Sequence, residues 1–249
     1  MTRPAAATFS GRDKWGEAVV DLLLAGAGIL LLAVAVPSLD SSGPVGLWLL
    51  VAYTTAALAV TLALVVAVVL TRRMPALADA TLDGRPAVVL RTWAPPWWHA
   101  TVLDTGLAIL GPALAVAGVV AGGGWAAAGL LPGLVGLWFV GRVALVVVGR
   151  RRRPALWLTA DEVVVDSSAG RARAARTAVR TVRPSGRRLV LALDRDAAWE
   201  PAPRPWRPSA TRRDTLVMDC TDTAHRAGDL ADWLAGEVAA TGARGFGTA

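Results

Sequence analysis

The chain has 249 residues, a net charge of +7 and 54% hydrophobic residues, with a mean hydropathy of +0.48. An ordinary soluble domain is rarely so apolar, and the apolar residues come in long blocks, which indicates a membrane protein. One cysteine and two histidines exclude an intrachain disulfide, a paired-thiol redox motif and a Cys/His zinc site, so no cofactor is expected. The charge is almost all arginine and flanks the apolar blocks, where membrane orientation explains it, and nucleic acid is not an expected partner.

The first apolar run, residues 18–36, follows a short polar segment, residues 1–17, that is typical of a cytoplasmic N-terminal segment. A helix rises about 1.5 Å per residue, so this run approaches the ~30 Å of a bilayer core. Ala33 and Ala35 also have the small-x-small form of a signal-peptidase site, which leaves cleavage as an alternative. We favour an uncleaved transmembrane helix, because Pro37 lies close to the would-be cut.

Three further apolar runs, residues 46–70, 102–121 and 125–149, predict three more transmembrane helices. The segment before residue 102 is basic, contains a turn signal around Asp83-Gly84 and ends in tryptophans suited to the membrane interface. Three glycines separate the last two runs, and small-residue faces that include Gly118 and Gly129 are expected to close a tight hairpin there. Residues 18–149 are therefore predicted to form an all-α membrane domain of four transmembrane helices.

Basic residues set the predicted orientation. They occur in residues 1–17, in residues 72–91 and in the run Arg150–Arg153, and they are absent from residues 37–45 and 122–124. By the positive-inside rule, both termini lie in the cytoplasm, and the protein is a multi-pass protein of the cell membrane with the lipid bilayer as its first partner.

Three ionisable residues fall inside the apolar runs, Asp21, Asp104 and Arg142. A charge inside a bilayer normally pairs, reaches the interface or takes part in function. We interpret the three as a structural ion pair in which Arg142 binds Asp104 or Asp21, because the outer halves of these helices offer almost no polar groups for a transport path. A proton or ion relay is the alternative.

After Arg153 the pattern changes to short strands with turn signals, then to one amphipathic helix that ends at residue 242, before a tail at residues 243–249. Such a meander closes as a small β-barrel or sandwich, and the helix must cap its open end. Residues 150–242 are thus predicted to form one cytoplasmic domain, with His225 facing solvent or helping to cap the helix. The predicted strands are residues 155–159, 162–166, 171–176, 179–183, 187–194 and 216–220.

This part of the chain resembles the bacterial pleckstrin-homology-like (PH-like) domains that are often attached to transmembrane helices. The resemblance rests on the run Leu156–Val163, a basic hairpin, Arg180–Arg183 ahead of an apolar strand, and the closing helix. The resemblance covers about residues 155–240 and implies a PH-like fold. Members commonly carry an aromatic residue and acidic residues just before the middle strand, and Thr177–Val179 lacks both. The resemblance therefore implies no ligand site and no functional residue here.

Residues 197–213 form an insertion rich in proline and arginine, which predicts a loop. Arginine pairs with phosphate and tryptophan favours the interface, so this loop and the arginine run after the fourth helix are candidate contacts with the membrane surface. An ordinary solvated basic loop is the alternative. The candidate contact residues are Arg150, Arg151, Arg152, Arg153, Arg204, Trp206, Arg207, Arg212 and Arg213.

The sequence contains no phosphate-binding glycine loop, no Ser/His/Asp set and no metal-ligand cluster. We therefore expect a non-enzymatic integral membrane protein that displays a cytoplasmic PH-like module for contact with anionic lipid headgroups or with a membrane or cytoplasmic protein partner. A small transporter or transporter subunit that uses Asp21, Asp104 and Arg142 is the alternative function.

Overall fold

The computed structural model describes residues 3–6, 11–39, 45–202 and 214–245, with side chains for all of these except residues 11–18, 38 and 241–245. The chain divides into two compact units. The helical unit comprises residues 10–71 and 94–147, and the sheet unit comprises residues 1–9, 72–93 and 148–249. The chain thus leaves the sheet unit for the helical unit twice and returns to it each time.

Three helices of the helical unit, α2, α3 and α4, are long and apolar enough to cross a membrane. The apolar part of α1 that the structure describes, Val19–Ala35, is shorter. Large apolar side chains stay exposed around these helices, as expected for segments that contact lipid, which indicates a membrane-associated protein. The bounds are α1 (Gly11–Ala35), a 3₁₀ turn (Val36–Ser38), α2 (Val45–Leu70), α3 (Ala94–Ala121) and α4 (Gly124–Val147).

Helix α3 begins at Ala94, although the sequence predicted a start at residue 102. The prediction counted only the apolar run, but Pro95 and Pro96 lie in the first helical turn, where a proline sacrifices no intrahelical hydrogen bond. Trp97 and Trp98, predicted as part of an interfacial segment, are therefore helical, and their rings meet edge to face with centroids 4.8 Å apart.

Glycines bring α3 and α4 into backbone contact. A Cβ atom added at Gly111 would lie 2.5 Å from the Cα atom of Gly136, and one added at Gly118 would lie 3.3 Å from the Cα atom of Gly129. Such close approach leaves no room for a side chain. The hairpin contact expected at Gly118 and Gly129 is present, whereas the contact between Gly111 and Gly136 did not emerge from the sequence.

The described part of the sheet unit contains one α-helix, a 3₁₀ turn (Arg176–Ala178) and two antiparallel sheets, with strand orders β1-β2-β3-β4-β5-β8 and β6-β7-β9. Six strands match predicted ones with ends displaced by two residues at most, namely β3, β4, β5, β6, β7 and β9. The bounds are β1 (Ala78–Leu82), β2 (Arg85–Arg91), β3 (Ala155–Thr159), β4 (Glu162–Ser167), β5 (Gly170–Ala175), β6 (Val179–Ser185), β7 (Arg188–Leu193), β8 (Ala198–Pro201), β9 (Thr215–Asp219) and α5 (Ala227–Gly245).

Strands β1 and β2 come from the segment that the sequence predicted as a loop between two spanning helices. They form a hairpin, and β2 pairs with β3 from Ala87 opposite Thr159 to Arg91 opposite Ala155. Asp83 and Gly84 both have positive φ values, 51° and 78°, as in the two-residue turn that Asp-Gly favours. The turn signal was recognised, but alanine and aspartate in β1 favour strands weakly and a proline in β2 argues against one.

Strand β8 is a second departure from prediction, because it begins the insertion predicted as a loop. It pairs with the edge of β5, where Trp199 lies opposite Ala172. An edge strand tolerates Pro201, since one side of it needs no hydrogen-bond donor. Residues 203–213, which hold the rest of the insertion, lie outside the described residues.

Apart from a smaller buried cluster around Trp157 and Val164, the buried hydrophobic side chains of the sheet unit form a larger core between the two sheets and α5. Alternate residues of the strands point into it, and α5 contributes one apolar stripe, as period-two strands and an amphipathic helix require. Burial of these side chains is the main force that holds the unit together. Its fully buried large side chains include Leu156, Val163, Leu189, Leu191, Leu230 and Leu234.

His225 precedes α5 and is buried, so the expectation that it faces solvent is wrong. Its Nε2 atom accepts a hydrogen bond of 3.1 Å from the backbone N–H of Leu77. The N–H of Ala224 donates to the Pro75 carbonyl oxygen at 2.9 Å. These bonds attach the segment before β1 to the segment before α5. The residues between α2 and α3 are therefore bound to the rest of the sheet unit in two ways, through the pairing of β2 with β3 and through these contacts with the start of α5.

We expect the protein to lose stability as the pH falls below about 6.5, the ordinary histidine value. Burial lowers the pKa of His225, an effect partly opposed by the backbone of Ala5 and by Asp229. Below about pH 6.5 the unfolded chain therefore binds a proton at this histidine before the folded chain does. The neutral His225 contributes its full stabilisation above about pH 6.5, and that contribution is lost as the pH falls from there toward the lowered pKa of the folded state. The measurement is a thermal melt in detergent at about pH 7.5 and 5.5.

His225→Gln should melt with a smaller difference between the two pH values, because glutamine does not titrate. Arg180→Gln, a change at an exposed position of β6, is the control and should keep the acid sensitivity of the wild type. If His225→Gln keeps the full acid sensitivity of the wild type, the neutral form of His225 does not support the fold.

Candidate functional site

The structure brings together two of the three ionisable residues of the apolar runs. Arg142 Nη2 on α4 lies 3.0 Å from Asp104 Oδ2 on α3. The Asp104 side chain is 9% exposed and that of Arg142 is 36% exposed, and the guanidinium carbon lies 5.4 Å from the centroid of the Phe139 ring. The buried carboxylate is thus neutralised by a guanidinium that reaches toward the outside of the helices.

Asp21 is not part of that pair. It is 9% exposed on α1, and its Oδ2 atom is enclosed without a hydrogen-bond partner among the described residues. Elsewhere in the helical unit, His99 Nε2 on α3 lies 3.0 Å from Thr61 Oγ1 on α2. The helical unit therefore holds two polar centres, the Asp104–Arg142 ion pair and the Thr61–His99 hydrogen bond, and a buried Asp21 that takes part in neither.

Four arginines of the sheet unit lie at its chain connections to the helices, and we call them the junction arginines: Arg91 ends β2, and Arg150, Arg152 and Arg153 precede β3. Arg150 Nε and Arg152 Nη1 lie 3.5 and 3.2 Å from the two carboxylate oxygens of Glu200 on β8. Arg153 Nε donates a hydrogen bond of 2.7 Å to the carbonyl oxygen of Thr92. The guanidinium carbon of Arg91 lies 5.1 Å from the centroid of the Trp157 ring.

The junction arginines carry four positive charges, and Glu200 is the carboxylate that pairs with them among the described residues. The hydrogen bond from Arg152 lowers the pKa of Glu200, which keeps that carboxylate ionised. Burial, with repulsion from Arg91, lowers the pKa of Arg153. A bound anion would relieve that repulsion, because it would place negative charge beside both guanidinium groups.

The predicted surface-contact residues fall into two groups. Arg150, Arg152 and Arg153 contact protein groups as given above, and Arg151 is half-buried. The others lie outside the described residues, namely Arg204, Trp206, Arg207, Arg212 and Arg213. Contact of either group with a membrane surface stays a prediction.

A buried polar network beside the junction arginines was missed by sequence reasoning. Asp166 is 4% exposed and accepts hydrogen bonds from Trp157 Nε1 at 2.8 Å and from Arg171 Nε and Nη2 at 2.6 and 2.9 Å. Arg171 lies opposite Asp166 on one side and opposite Glu200 on the other. The hairpin register would have suggested this pairing, since facing residues of opposite charge attract each other.

A groove of about 620 Å³ in the sheet unit lies between α5 and the strands β1 to β3. Its charged lining consists of matched pairs, Arg3 with Asp79 and Arg176 with Glu237. Arg176 Nη1 also donates to the Thr159 carbonyl oxygen at 3.2 Å, and the Arg176 side chain is 9% exposed. These arginines hold structural elements together, so the groove offers less free charge than the junction does.

Comparisons with known proteins found no family model, no curated protein and no solved structure that matches this chain. The function is therefore argued from the geometry of its own residues.

Proposed function

We propose that this protein is a non-enzymatic, multi-pass membrane protein whose cytoplasmic PH-like module contacts anionic lipid headgroups through the junction arginines. The observation that carries the proposal is their position. Arg91 ends β2 and α3 begins at Ala94, while Arg150, Arg152 and Arg153 lie between the end of α4 at Val147 and the start of β3 at Ala155. A segment of seven residues spans at most about 25 Å, so chain connectivity keeps these charges near the membrane surface.

The energy of such a contact is sufficient for selective lipid binding. A basic residue near an anionic surface contributes about 1 kcal/mol, and the effect fades beyond a Debye length of about 8 Å at physiological salt. Glu200 offsets one of the four positive charges, which leaves an attraction of roughly 3 kcal/mol. That preference is enough to hold an anionic lipid against an excess of neutral lipid.

Chain connectivity supports four membrane crossings. Arg3 pairs with Asp79, so the N-terminal segment belongs to the same folded unit as β1. Since one folded unit lies on one side of a membrane, a chain that leaves it at α1 and returns after α2 must cross twice or not at all. Because α2 is long and apolar enough to cross, α1 crosses as well, and its 25 residues suffice for ~30 Å.

The same reasoning applies to the second excursion. Strand β2 precedes α3, β3 follows α4, and the two strands are hydrogen-bonded neighbours. Both α3 and α4 therefore cross. The sheet unit lies on the side that carries Arg72, Arg73 and the junction arginines, which is the cytoplasmic side by the positive-inside rule.

The arrangement of the sheet unit supports a PH-like module. Two antiparallel sheets share one core, and the C-terminal helix α5 adds Leu230 and Leu234 to it. The β1–β2 hairpin is an addition to that plan, contributed by the segment between two spanning helices. Because β1 follows α2 and β2 precedes α3 in the chain, the hairpin gives the module a second covalent connection to the helices, besides the one between α4 and β3.

The transporter hypothesis receives less support. Asp104 and Arg142 neutralise each other at 3.0 Å, which favours a structural role over charge movement. Among the described side chains no ion pair joins Asp21 to Asp104 or Arg142, so the three residues do not form one connected path there.

Native mass spectrometry of the detergent-purified protein tests the proposal. With phosphatidylglycerol and phosphatidylcholine of equal chain length added together, we expect preferential retention of phosphatidylglycerol, weakened by salt. Arg91→Gln with Arg150→Gln removes two exposed charges, so the preference should fall by about 2 kcal/mol, roughly thirtyfold.

Arg180→Gln with Arg183→Gln is the matched control, because it removes two exposed charges from β6. The control should keep the lipid preference of the wild type. Equal retention of both lipids by the wild type, or an equal loss in both double variants, would contradict the proposal and leave a protein partner as the better interpretation.

A further inference from the structure

The carboxylate of Glu200 bridges two of the junction arginines. Arg150 Nε lies 3.5 Å from its Oε1 atom, and Arg152 Nη1 lies 3.2 Å from its Oε2 atom. Each guanidinium thus contacts a different oxygen of the same anion. A phosphodiester also offers two terminal oxygens and one negative charge, and arginine binds phosphate through the same charge-assisted contacts as carboxylate. We call Arg150 and Arg152 the arginine clamp.

A buried ion pair lies next to Glu200 in the sheet. Arg171 on β5 is opposite Glu200 in the register of β5 with β8. Its Nε and Nη2 atoms donate to the two carboxylate oxygens of Asp166 at 2.6 and 2.9 Å, and Asp166 is buried. Because this contact is bidentate, Arg171 stays paired with Asp166 whether or not Glu200 contacts the clamp. The charge balance of the clamp then depends on Glu200, or on an anion that replaces it.

Glu200 is well placed for such an exchange. Its side chain is 41% exposed, and that of Arg150 is exposed to a similar degree. Ion pairs that are this open to water contribute little to stability. Glu200 also lies on β8, a strand of four residues (Ala198–Pro201) at the edge of its sheet. Its contacts with the clamp can therefore be broken at small cost when another anion takes them over.

We propose that the arginine clamp is a phosphodiester site, in which the Glu200 carboxylate occupies the place of a lipid headgroup phosphate until the phosphate displaces it. The inference rests on the proposed function and assigns the headgroup phosphate to two particular guanidinium groups. A phosphodiester carries one negative charge, as Glu200 does, so the exchange preserves the charge balance of the clamp. The clamp closely follows α4, which ends at Val147, so chain connectivity keeps it near the membrane surface.

Competition with Glu200 makes the clamp selective for the net charge of the lipid. Phosphatidylcholine brings its phosphate together with a choline cation, which the two guanidinium groups repel. Phosphatidylglycerol brings the negative charge alone and can replace the carboxylate. Removal of the Glu200 charge should therefore strengthen the retention of phosphatidylglycerol more than that of phosphatidylcholine.

Native mass spectrometry with both lipids added together tests the inference through Glu200→Gln. Glutamine keeps the length of the side chain and removes the charge that competes with the headgroup. The preference for phosphatidylglycerol should rise about fivefold, the equivalent of about 1 kcal/mol for one charge. Asp194→Asn is the matched control, because Asp194 is an exposed carboxylate that lies 3.9 Å from Arg180 on the three-stranded sheet. The control should keep the lipid preference of the wild type.

A cycle of variants separates exchange at the clamp from a general effect of charge. In a protein that carries Arg150→Gln and Arg152→Gln, the further change Glu200→Gln should alter the preference by less than about twofold, because the carboxylate has no clamp to vacate. An equal rise with and without the two arginines would mean that Glu200 acts only as a distant negative charge, and would overturn the inference.

Inorganic phosphate distinguishes a lipid phosphate from a free one. At equal ionic strength it should displace no more phosphatidylglycerol than acetate does, and selective displacement by phosphate would assign the clamp to a free phosphate instead. Equal retention of both lipids by the wild type would contradict the proposed function together with this inference. A wild-type preference for phosphatidylglycerol that Glu200→Gln does not raise would contradict this inference alone.

Discussion

Alanine at Gly136 is expected to separate α3 from α4 and to lower the stability of the helical unit more than alanine at Gly141, which has open space around it. The added Cβ would overlap the Pro112 ring and lie 2.7 Å from the Cα atom of Gly111. These neighbours are backbone and a ring, so they cannot rotate away. Overpacking typically costs about 1–3 kcal/mol, and Gly111→Ala should cost as much because its Cβ meets the same contact from the other side.

Gly141→Ala is the matched control, since nothing lies within 4 Å of its Cβ position. It should melt at the wild-type temperature or slightly above, because alanine favours a helix. The measurement is thermal unfolding in detergent, followed by tryptophan fluorescence. Equal melting temperatures for Gly136→Ala and Gly141→Ala would show that the two helices are not in backbone contact.

The Asp104–Arg142 pair should respond asymmetrically to the loss of either partner. Arg142→Leu leaves a carboxylate that is 9% exposed, which should cost about 3 kcal/mol, at the low end for breaking a buried pair. Asp104→Ala leaves a guanidinium that is 36% exposed and can turn toward the headgroups, so its cost should be about 1 kcal/mol. The double variant should be more stable than Arg142→Leu, because it strands no charge.

Arg142→Lys serves as the control for this cycle, because it keeps the positive charge while losing the planar guanidinium. It should lie between the wild type and Arg142→Leu in a detergent melt. Additive effects of the two single variants, with the double variant the least stable of all, would mean that the two side chains do not interact.

The membrane helices were predictable because a segment that crosses lipid must be a continuous apolar run of sufficient length, which can be read directly from the sequence. An apolar run of sufficient length must satisfy its backbone hydrogen bonds internally, so α2 and α4 follow almost residue by residue from composition. The start of α3 was misplaced because Pro95 and Pro96 are read as helix breakers, although the first turn tolerates them.

The polar centres were predictable in part. Asp21, Asp104 and Arg142 stand out in any reading of the apolar runs, since charges are rare there. The sequence does not show which carboxylate binds Arg142 or that His99 contacts Thr61. Both depend on how α2, α3 and α4 are rotated about their axes. That rotation is set by contacts such as Gly111 with Gly136, which no local pattern specifies.

The sequence by itself determined the apolar helices, six of the strands and the residues whose charge requires a partner, because each depends on hydrophobic periodicity or on the cost of burying charge. Only the tertiary structure decided that β1 and β2 belong to the sheet unit, that His225 is buried against Leu77, and that Glu200 meets the junction arginines. These features join segments far apart in the chain, and such pairings arise from the complementarity of whole surfaces rather than from local preference.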